Sequence, residues 1–265
     1  MHDASARLLM LTRVGFATRG LLYIVIAIFV MTTGRTEDPS GALKYLGEGG
    51  GRILLLLMAA GLLGYGFWRL SDATFDIEGH GSDRSSVGAR LGAGVSGIVH
   101  VLLAWQAIKL FRGAGAASSS NSQESAQSML TLPGGAVMVS VVGLILLAVG
   151  ALQIVKAVKG SYLKHLEPQV ANQPWAIWSG RFGYAARGVI FIITGYFFVA
   201  AGMSEQATEA GGMAEALRWL TSPWDIIVAA GLLAFGLFSL IEAKYRIIHS
   251  VPVENLGQRV KSKLH

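Results

Sequence analysis

Six apolar segments dominate the pattern of hydrophobic and polar positions along this chain of 265 residues. Their interiors hold almost no charge, and they lie at residues 18–34, 52–70, 93–111, 135–156, 186–202 and 224–242. A bilayer core about 30 Å thick is crossed by about 20 apolar residues in a helix. The pattern therefore predicts an all-α integral membrane protein with six transmembrane helices rather than a soluble helical bundle.

One motif occurs three times, each time at the start of an odd-numbered apolar segment. Residues 13–23 read RVGFATRGLLY, residues 181–191 read RFGYAARGVIF, and residues 90–100 give the weaker copy RLGAGVSGIVH. The even-numbered segments match as well, since AGLLGYGFWRLSDA at residues 60–73 parallels AGLLAFGLFSLIEAK at residues 230–244. We therefore predict three tandem two-helix repeats, because paired matches at both ends of a unit do not arise by chance.

Each predicted repeat is a hairpin that returns to its starting side, so all three hairpins share one orientation. Inverted-repeat transporters have a different symmetry. Three like-oriented hairpins predict a pseudo-three-fold arrangement around an axis along the membrane normal. We place the repeat units at residues 7–80, 84–165 and 175–249 of a single membrane domain spanning residues 1–265, with a basic C-terminal tail at residues 250–265.

Basic residues concentrate on one side of this predicted topology. Sixteen of the 22 lysines and arginines fall in the two termini and in the second and fourth connections. Because loops rich in lysine and arginine stay in the cytoplasm, we predict a multi-pass protein with both termini cytoplasmic. The net charge of +6 then follows from topology and from anionic lipids at the cytoplasmic face, and no nucleic-acid partner is needed.

The motif glycines predict close helix packing. They are Gly15 and Gly20 in the first repeat, Gly92 and Gly97 in the second, and Gly183 and Gly188 in the third. A glycine in a membrane helix lets a neighbouring backbone approach closely. Since the even-numbered segments also carry small residues, we expect tight packing between the two helices of each hairpin.

The second motif arginine predicts an ion pair with an acid at the inner end of the even-numbered segment. The two positions hold Arg19 and Asp72 in the first repeat, Ser96 and Lys156 in the second, and Arg187 and Glu242 in the third. Because the repeat without the arginine also lacks the acid, we predict that Arg19 pairs with Asp72 and Arg187 with Glu242. Such pairs near the interface would fix the register of each hairpin.

The first motif arginine is present in all three repeats, as Arg13, Arg90 and Arg181. The plainer interpretation is that each side chain extends into the lipid headgroups. The alternative is a cytoplasmic ring of three cations that contacts an anion or lipid phosphates. Both interpretations remain open from the sequence.

Chemistry inside the predicted membrane region rests on few residues. His100 replaces the aromatic residue of the other two motifs, and polar residues within spans are the default functional candidates. A neutral histidine bonded to nearby backbone is the plainer interpretation, and proton transfer or metal ligation is the alternative. There is no cysteine and no spacing typical of a catalytic or metal site, so we expect neither an enzyme nor a cofactor.

The outer connections differ among the repeats. ALKYL at residues 42–46 corresponds to ALRWL at residues 216–220, and each predicts a short interfacial helix. The middle repeat instead carries GAGAASSSNSQESAQS at residues 113–128, which predicts a flexible linker.

Together, these features resemble a bacterial membrane family, the domain of unknown function 1206. The resemblance rests on the RxGxxxRGxxY/F motif, the ALKYL and ALRWL connectors, the sequence PGG at residues 133–135 and the closing EAKYR at residues 242–246. It covers nearly the whole chain and implies a six-span protein of the bacterial inner membrane built from three tandem repeats. It implies no activity, and the middle repeat departs most from its motif, with Ser96 and His100.

We therefore interpret the chain as a non-enzymatic scaffold or accessory protein that engages lipids or a membrane-protein partner. The alternative is a channel or transporter with a path for small solutes or ions along the pseudo-three-fold axis. A membrane-embedded enzyme is a third hypothesis, for which His100 is the candidate residue.

Overall fold

A computed structural model of the protein describes residues 2–34, 36–48, 51–76, 84–113 and 121–247. Its helices are α1 (His2–Thr33), α2 (Pro39–Glu48), α3 (Arg52–Phe75), α4 (Arg84–Phe111), α5 (Asn121–Leu130), α6 (Gly135–Lys159), α7 (Pro168–Ala171), α8 (Pro174–Ser204), α9 (Met213–Trp219) and α10 (Trp224–Tyr245). Two short 3-10 helices, Ser161–His165 and Ala207–Glu209, complete the described secondary structure, which contains no strand.

Six of these helices, α1, α3, α4, α6, α8 and α10, are long and apolar enough to cross a membrane. This confirms the six predicted spans and the all-α class. The helices run further than the apolar segments: α8 begins at Pro174, whereas its apolar segment begins at residue 186. Hydrophobicity marks only the part of a helix that lies in hydrocarbon, and polar helix ends continue into water.

The six long helices form an open ring. α1 packs against α3 and α10, α3 packs against α4, α10 against α8, and α8 against α6. Within the described part of the chain, α4 and α6 do not pack against each other. Only 22% of the most apolar window of each of these two helices is buried, compared with 61% for α1. The hairpin of the middle repeat is therefore open, while those of the first and third repeats are closed.

A crossing at the second motif glycine joins each repeat to its neighbour. A Cβ atom added to either glycine of a pair would lie 2.8–3.1 Å from the carbonyl oxygen of the other, which leaves no room for a side chain. The three pairs are Gly20 with Gly236, Gly97 with Gly66, and Gly188 with Gly150. Each pair joins the first helix of one repeat to the second helix of the preceding repeat, and the first repeat closes on the third. The second motif glycine thus packs between repeats, whereas we expected it to pack within the hairpin.

The first motif glycine packs within the hairpin, but only where the hairpin is closed. A Cβ on Gly15 would lie 2.6 Å from the Gly61 carbonyl oxygen, and one on Gly183 would lie 2.6 Å from the Phe235 Cα. A Cβ on Gly92 would meet nothing within 4 Å. The repeat alignment supplies a reason, because the middle repeat places Ile145 where the first repeat has Gly61. A branched side chain at that position prevents the close approach of backbones.

Engineered disulfides test this arrangement directly, because the chain has no cysteine of its own. A Cβ on Gly94 would lie 3.6 Å from the Ala73 Cβ, which is the separation that a disulfide requires. We expect Gly94→Cys with Ala73→Cys to cross-link α4 to α3 in membranes under mild oxidation, as read by gel mobility. Gly92→Cys with Ile145→Cys, which would join the two helices of a closed middle hairpin, should stay reduced. Equal cross-linking of both pairs would contradict the open hairpin.

Short helices occupy the connections at the end of the bundle away from the chain termini. The predicted connector helices correspond to α2 and α9, on which Tyr45 and Trp219 are exposed. Asp38 precedes α2 and accepts a hydrogen bond from the Gly41 N–H at 2.8 Å, while burial raises the pKa of its carboxyl.

The flexible linker predicted at residues 113–128 is wrong for its second part, since α5 begins at Asn121. This helix forms because it packs on α6 and α8 and buries Ala126 against Val139 and Phe198. Polarity alone predicted a linker because the stabilising contacts come from other helices. Residues 114–120 lie outside the described part of the chain.

Candidate functional site

A cluster of charged side chains is buried between α1, α3 and α10, near the end of the bundle where the chain begins and ends. Arg19 donates hydrogen bonds from Nε to Ser239 Oγ at 3.1 Å, from Nη1 to the Tyr65 hydroxyl at 2.7 Å and from Nη2 to Glu242 Oε2 at 2.5 Å. Arg246 donates from Nη1 to the second oxygen, Glu242 Oε1. Arg19 is 6% exposed and Glu242 is 1% exposed. The Glu242 carboxylate thus binds two guanidinium groups at a position that is buried from solvent.

Aromatic rings enclose this cluster. The Arg19 guanidinium lies 4.8 Å from the centre of the Phe16 ring and 5.0 Å from that of Phe235. The Arg246 guanidinium lies 5.1 Å from the Phe16 ring and 5.2 Å from the Trp68 ring. Cations over aromatic faces are stabilised by the ring quadrupole, more strongly when water is excluded.

Backbone contacts place Arg246 at the end of α10. The Tyr245 carbonyl accepts a hydrogen bond from the Glu167 N–H at 3.0 Å, and the Ile247 N–H donates to the His165 carbonyl at 2.8 Å. The connection between α6 and α8 is thereby tied to the chain just after α10. Arg246, held between these two bonds, points back to Glu242 one turn earlier.

The predicted pair of Arg19 with Asp72 is wrong. All three Arg19 nitrogens bind partners other than Asp72, and Asp72 instead accepts a bond from Arg69 Nη1 at 3.3 Å within its own helix. The reason lies in the ring: the second half of the motif packs on the preceding repeat rather than on its own hairpin. The acid that faces Arg19 is therefore Glu242 of the third repeat.

The predicted pair of Arg187 with Glu242 is also wrong, because Glu242 is occupied by Arg19 and Arg246. Arg187 packs on α6 of the second repeat through the neighbouring Gly188. The position of α6 that corresponds to Glu242 holds Lys156. The helix that carries Arg187 thus packs against a repeat in which a cation stands in place of the acid.

Arg187 instead lies among aromatic rings. Its guanidinium is 4.4 Å from the centre of the Phe235 ring, 5.0 Å from Phe191 and 5.5 Å from Tyr23. Its Nε is buried and has no hydrogen-bond partner, whereas the residue as a whole is half-buried. No carboxylate of the described residues forms an ion pair with it.

The three first-motif arginines lie in different environments. Arg90 donates from Nε to the Ala73 carbonyl at 2.9 Å and from Nη2 to the Thr74 carbonyl at 3.0 Å, so it caps the C-terminus of α3. Arg181 is exposed with its guanidinium over the Trp178 ring at 5.5 Å, whereas Arg13 is partly buried and its Nε has no hydrogen-bond partner. These differences do not favour a ring of three equivalent cations.

His100 lies on α4 beside the charged cluster. Its Nδ1 donates to the Ser96 carbonyl of its own helix at 2.7 Å, and its ring centre is 4.5 Å from that of Tyr65. Arg19 and Arg187 are close enough to act on it electrostatically. The Nδ1 bond ties the ring to its own helix, and no group of three metal-ligating residues occurs in the described ranges.

Several residues of the cluster were not singled out from the sequence. Tyr65 and Ser239 lie in apolar segments, where single hydroxyl groups carry no distinct pattern. Arg246 follows Glu242 by four residues, which is the spacing of a helical ion pair and was the one available signal. Trp68 reads as an ordinary apolar residue, and only its ring position next to Arg246 shows its role.

Comparison with known sequences places this architecture in context. The sequence model of the family described as domain of unknown function DUF1206 matches residues 14–76, 91–160 and 182–246. The uncharacterized protein YxxB of Bacillus subtilis (strain 168) is 28% identical over 247 residues, which cover 88% of this chain and 90% of that protein. No solved structure matches the chain.

Proposed function

We propose that this chain, which belongs to the family of the domain of unknown function 1206, is a non-enzymatic accessory protein of the bacterial inner membrane that engages anionic lipid through its open middle repeat. The observation that carries this proposal is the separation of α4 and α6. The first and third repeats fill the corresponding space with their own second helix. The middle repeat leaves it open to the membrane.

The sides of the opening suit a lipid. Large apolar side chains of the two helices are about half exposed, among them Ile98 and Leu102 on α4 and Leu144 and Ile145 on α6. Acyl chains cover such surfaces without the shape-specific contacts that a partner helix needs. Towards the end nearest the chain termini, α6 carries Lys156 and α8 carries Arg187, whose positive charges are complementary to an anionic headgroup.

The axial path of the alternative hypothesis finds less support. The Arg19 cluster and its rings occupy the interior of the bundle, and Phe235 and Phe238 are completely buried. A channel needs sites that are weak enough to release each ion. A buried carboxylate bonded to two arginines is instead a fixed structural element.

The orientation belongs to the same proposal. The basic residues of the termini and of the α6–α8 connection would lie in the cytoplasm, where the leaflet is anionic. The opening would then present its charged end to the cytoplasmic leaflet.

Closing the middle hairpin tests the function. The double substitution Leu144→Ala with Ile145→Gly gives α6 the Ala-Gly pair that α3 and α10 carry. We expect the closed form to retain several-fold less phospholipid than wild type after purification in mild detergent, as measured by mass spectrometry. The matched control is Leu56→Ala with Leu57→Gly, at exposed positions of α3, which should retain wild-type lipid.

Equal lipid retention by all three proteins would overturn the proposal. Stoichiometric capture of another membrane protein by wild type, lost in the closed variant without any change in lipid, would also overturn it and favour a partner helix. Ion or solute flux in liposomes that the closed variant keeps would favour the axial path instead.

A further inference from the structure

We propose that Arg187 is the residue of the open middle repeat that binds an anion, and that the group it takes is a phosphate carrying one or two negative charges. This inference deepens the proposed function by naming the chemical group that the lipid would bring. It rests on the setting of one side chain and on a comparison of the three repeats.

The setting is a cation for which the described residues supply no ion-pair partner. Arg187 has three aromatic rings, of Tyr23, Phe191 and Phe235, within 5.5 Å of its guanidinium carbon. Its Nε is buried and makes no hydrogen bond, although nitrogen donors withdrawn from water are nearly always bonded. Aromatic faces attract a cation but accept no strong hydrogen bond, so the donors of the guanidinium remain available.

The repeats show what is missing from this setting. At the first-to-third interface, Arg19 meets Glu242 and Ser239. At the third-to-second interface, the same positions of α6 hold Lys156 and Gln153. Lys156 thus places a cation where the third repeat has the acid, and Gln153 places an amide where the third repeat has a hydroxyl.

Gln153 adds an independent observation at this interface. The side chain is 8% exposed, and its Oε1 has no hydrogen-bond partner. The unbonded Oε1 is an acceptor, and the amide nitrogen of the same side chain is the group that would donate to a phosphate oxygen, as a guanidinium does. Gln153 of α6 and Arg187 of α8 thus both lie beside the Gly150–Gly188 crossing, one amide and one guanidinium at the same helix interface.

No carboxylate of the cluster can be shared with Arg187. Glu242 Oε2 accepts from Arg19, and Oε1 accepts from Arg246. An unpaired cation at membrane depth is costly, and an anion from outside the chain removes that cost. A phosphate also matches the flat, forked donor geometry of arginine. The opening between α4 and α6 gives such a group a lateral way in, with acyl chains left in the apolar part.

Thermal unfolding in neutral detergent tests the site. Wild-type protein is titrated with short-chain phosphatidylglycerol, with phosphatidylcholine of the same chain length, and with inorganic phosphate at constant ionic strength. We expect phosphatidylglycerol to raise the melting temperature by about 2–5 °C and phosphatidylcholine to have no such effect. An equal rise with inorganic phosphate alone would support the site and identify free phosphate as the source of the anion.

Two variants locate the effect. Arg187→Gln should lose the response to the anion, whereas Arg181→Gln, at an exposed arginine of the same helix, should keep it. Lys156→Glu leaves Arg187 in place but supplies the acid that the third repeat has. We expect this variant to melt at a higher temperature than wild type without added anion and to respond no further.

An unchanged response in Lys156→Glu and in Arg187→Gln would overturn the anion site. It would leave the proposed function standing if closing the middle hairpin still reduced lipid retention. If wild type showed no response to any of the three additions, the anion site would be refuted, and the lipid analysis of the closed variant would decide the proposed function separately.

Discussion

Glu242→Gln is expected to destabilise the purified protein by about 3–5 kcal/mol, because it removes the carboxylate charge that two buried guanidinium groups share. The amide keeps the size of the carboxylate, so no cavity forms, and the loss is electrostatic. Arg19 and Arg246 would then both lose the carboxylate that they share. The measurement is the melting temperature in detergent, followed by intrinsic fluorescence or by loss of solubility.

The control for this substitution is Glu167→Gln, at an exposed glutamate of the same end of the bundle, which should melt as wild type does. Adding Arg246→Gln to Glu242→Gln should recover part of the loss, because one of the two guanidinium groups that shared the carboxylate is removed. A Glu242→Gln protein with wild-type stability would show that the cluster does not hold α1 against α10.

Gly20→Ala and Gly92→Ala are expected to change stability in opposite directions, although both glycines belong to the same motif. A Cβ on Gly20 would lie 2.8 Å from the Gly236 carbonyl oxygen, so the α1–α10 crossing must widen, at a cost of about 1–3 kcal/mol. A Cβ on Gly92 meets nothing within 4 Å, and alanine favours a helix over glycine by about 1 kcal/mol.

The same unfolding measurement decides between the two outcomes for the glycines. Gly97→Ala should behave as Gly20→Ala does, because it lies at the equivalent crossing with Gly66. If Gly92→Ala destabilised the protein as strongly as Gly20→Ala, then a helix would pack on Gly92 in the membrane, and the middle hairpin would be closed.

The spans and the repeats could be predicted because each depends on local sequence. An apolar segment must become a helix in hydrocarbon, and a repeated motif must adopt a repeated structure. The partner of Arg19 could not be predicted in the same way. In a cyclic arrangement, the arginine of one repeat can face the second helix of its own hairpin or that of the neighbouring repeat. The aligned residues of the three repeats are the same in both cases, so the sequence does not distinguish between them.

The middle repeat illustrates the same limit. The sequence shows that the middle repeat has Ser96 in place of the motif arginine and Lys156 in place of the acid. This pattern predicted the loss of one ion pair within the hairpin. In the ring, the two substituted positions lie at two different interfaces. At one interface Asp72 accepts a hydrogen bond from Arg69, and at the other Arg187 lies among aromatic rings. The substitution that opens the hairpin, Ile145 for glycine, looked like an ordinary apolar residue.

The break in the ring also divides the chain in an unusual way. The helices α1 to α4 form one continuous half of the sequence, and α5 to α10 form the other; the long helices of the two halves pack together at α1 and α10. In the sequence, residues 114–120 connect the two halves between α4 and α5. The protein is thus three repeats by sequence but two three-helix half-rings by packing. The contact that joins the half-rings is the pairing of its first and last long helices.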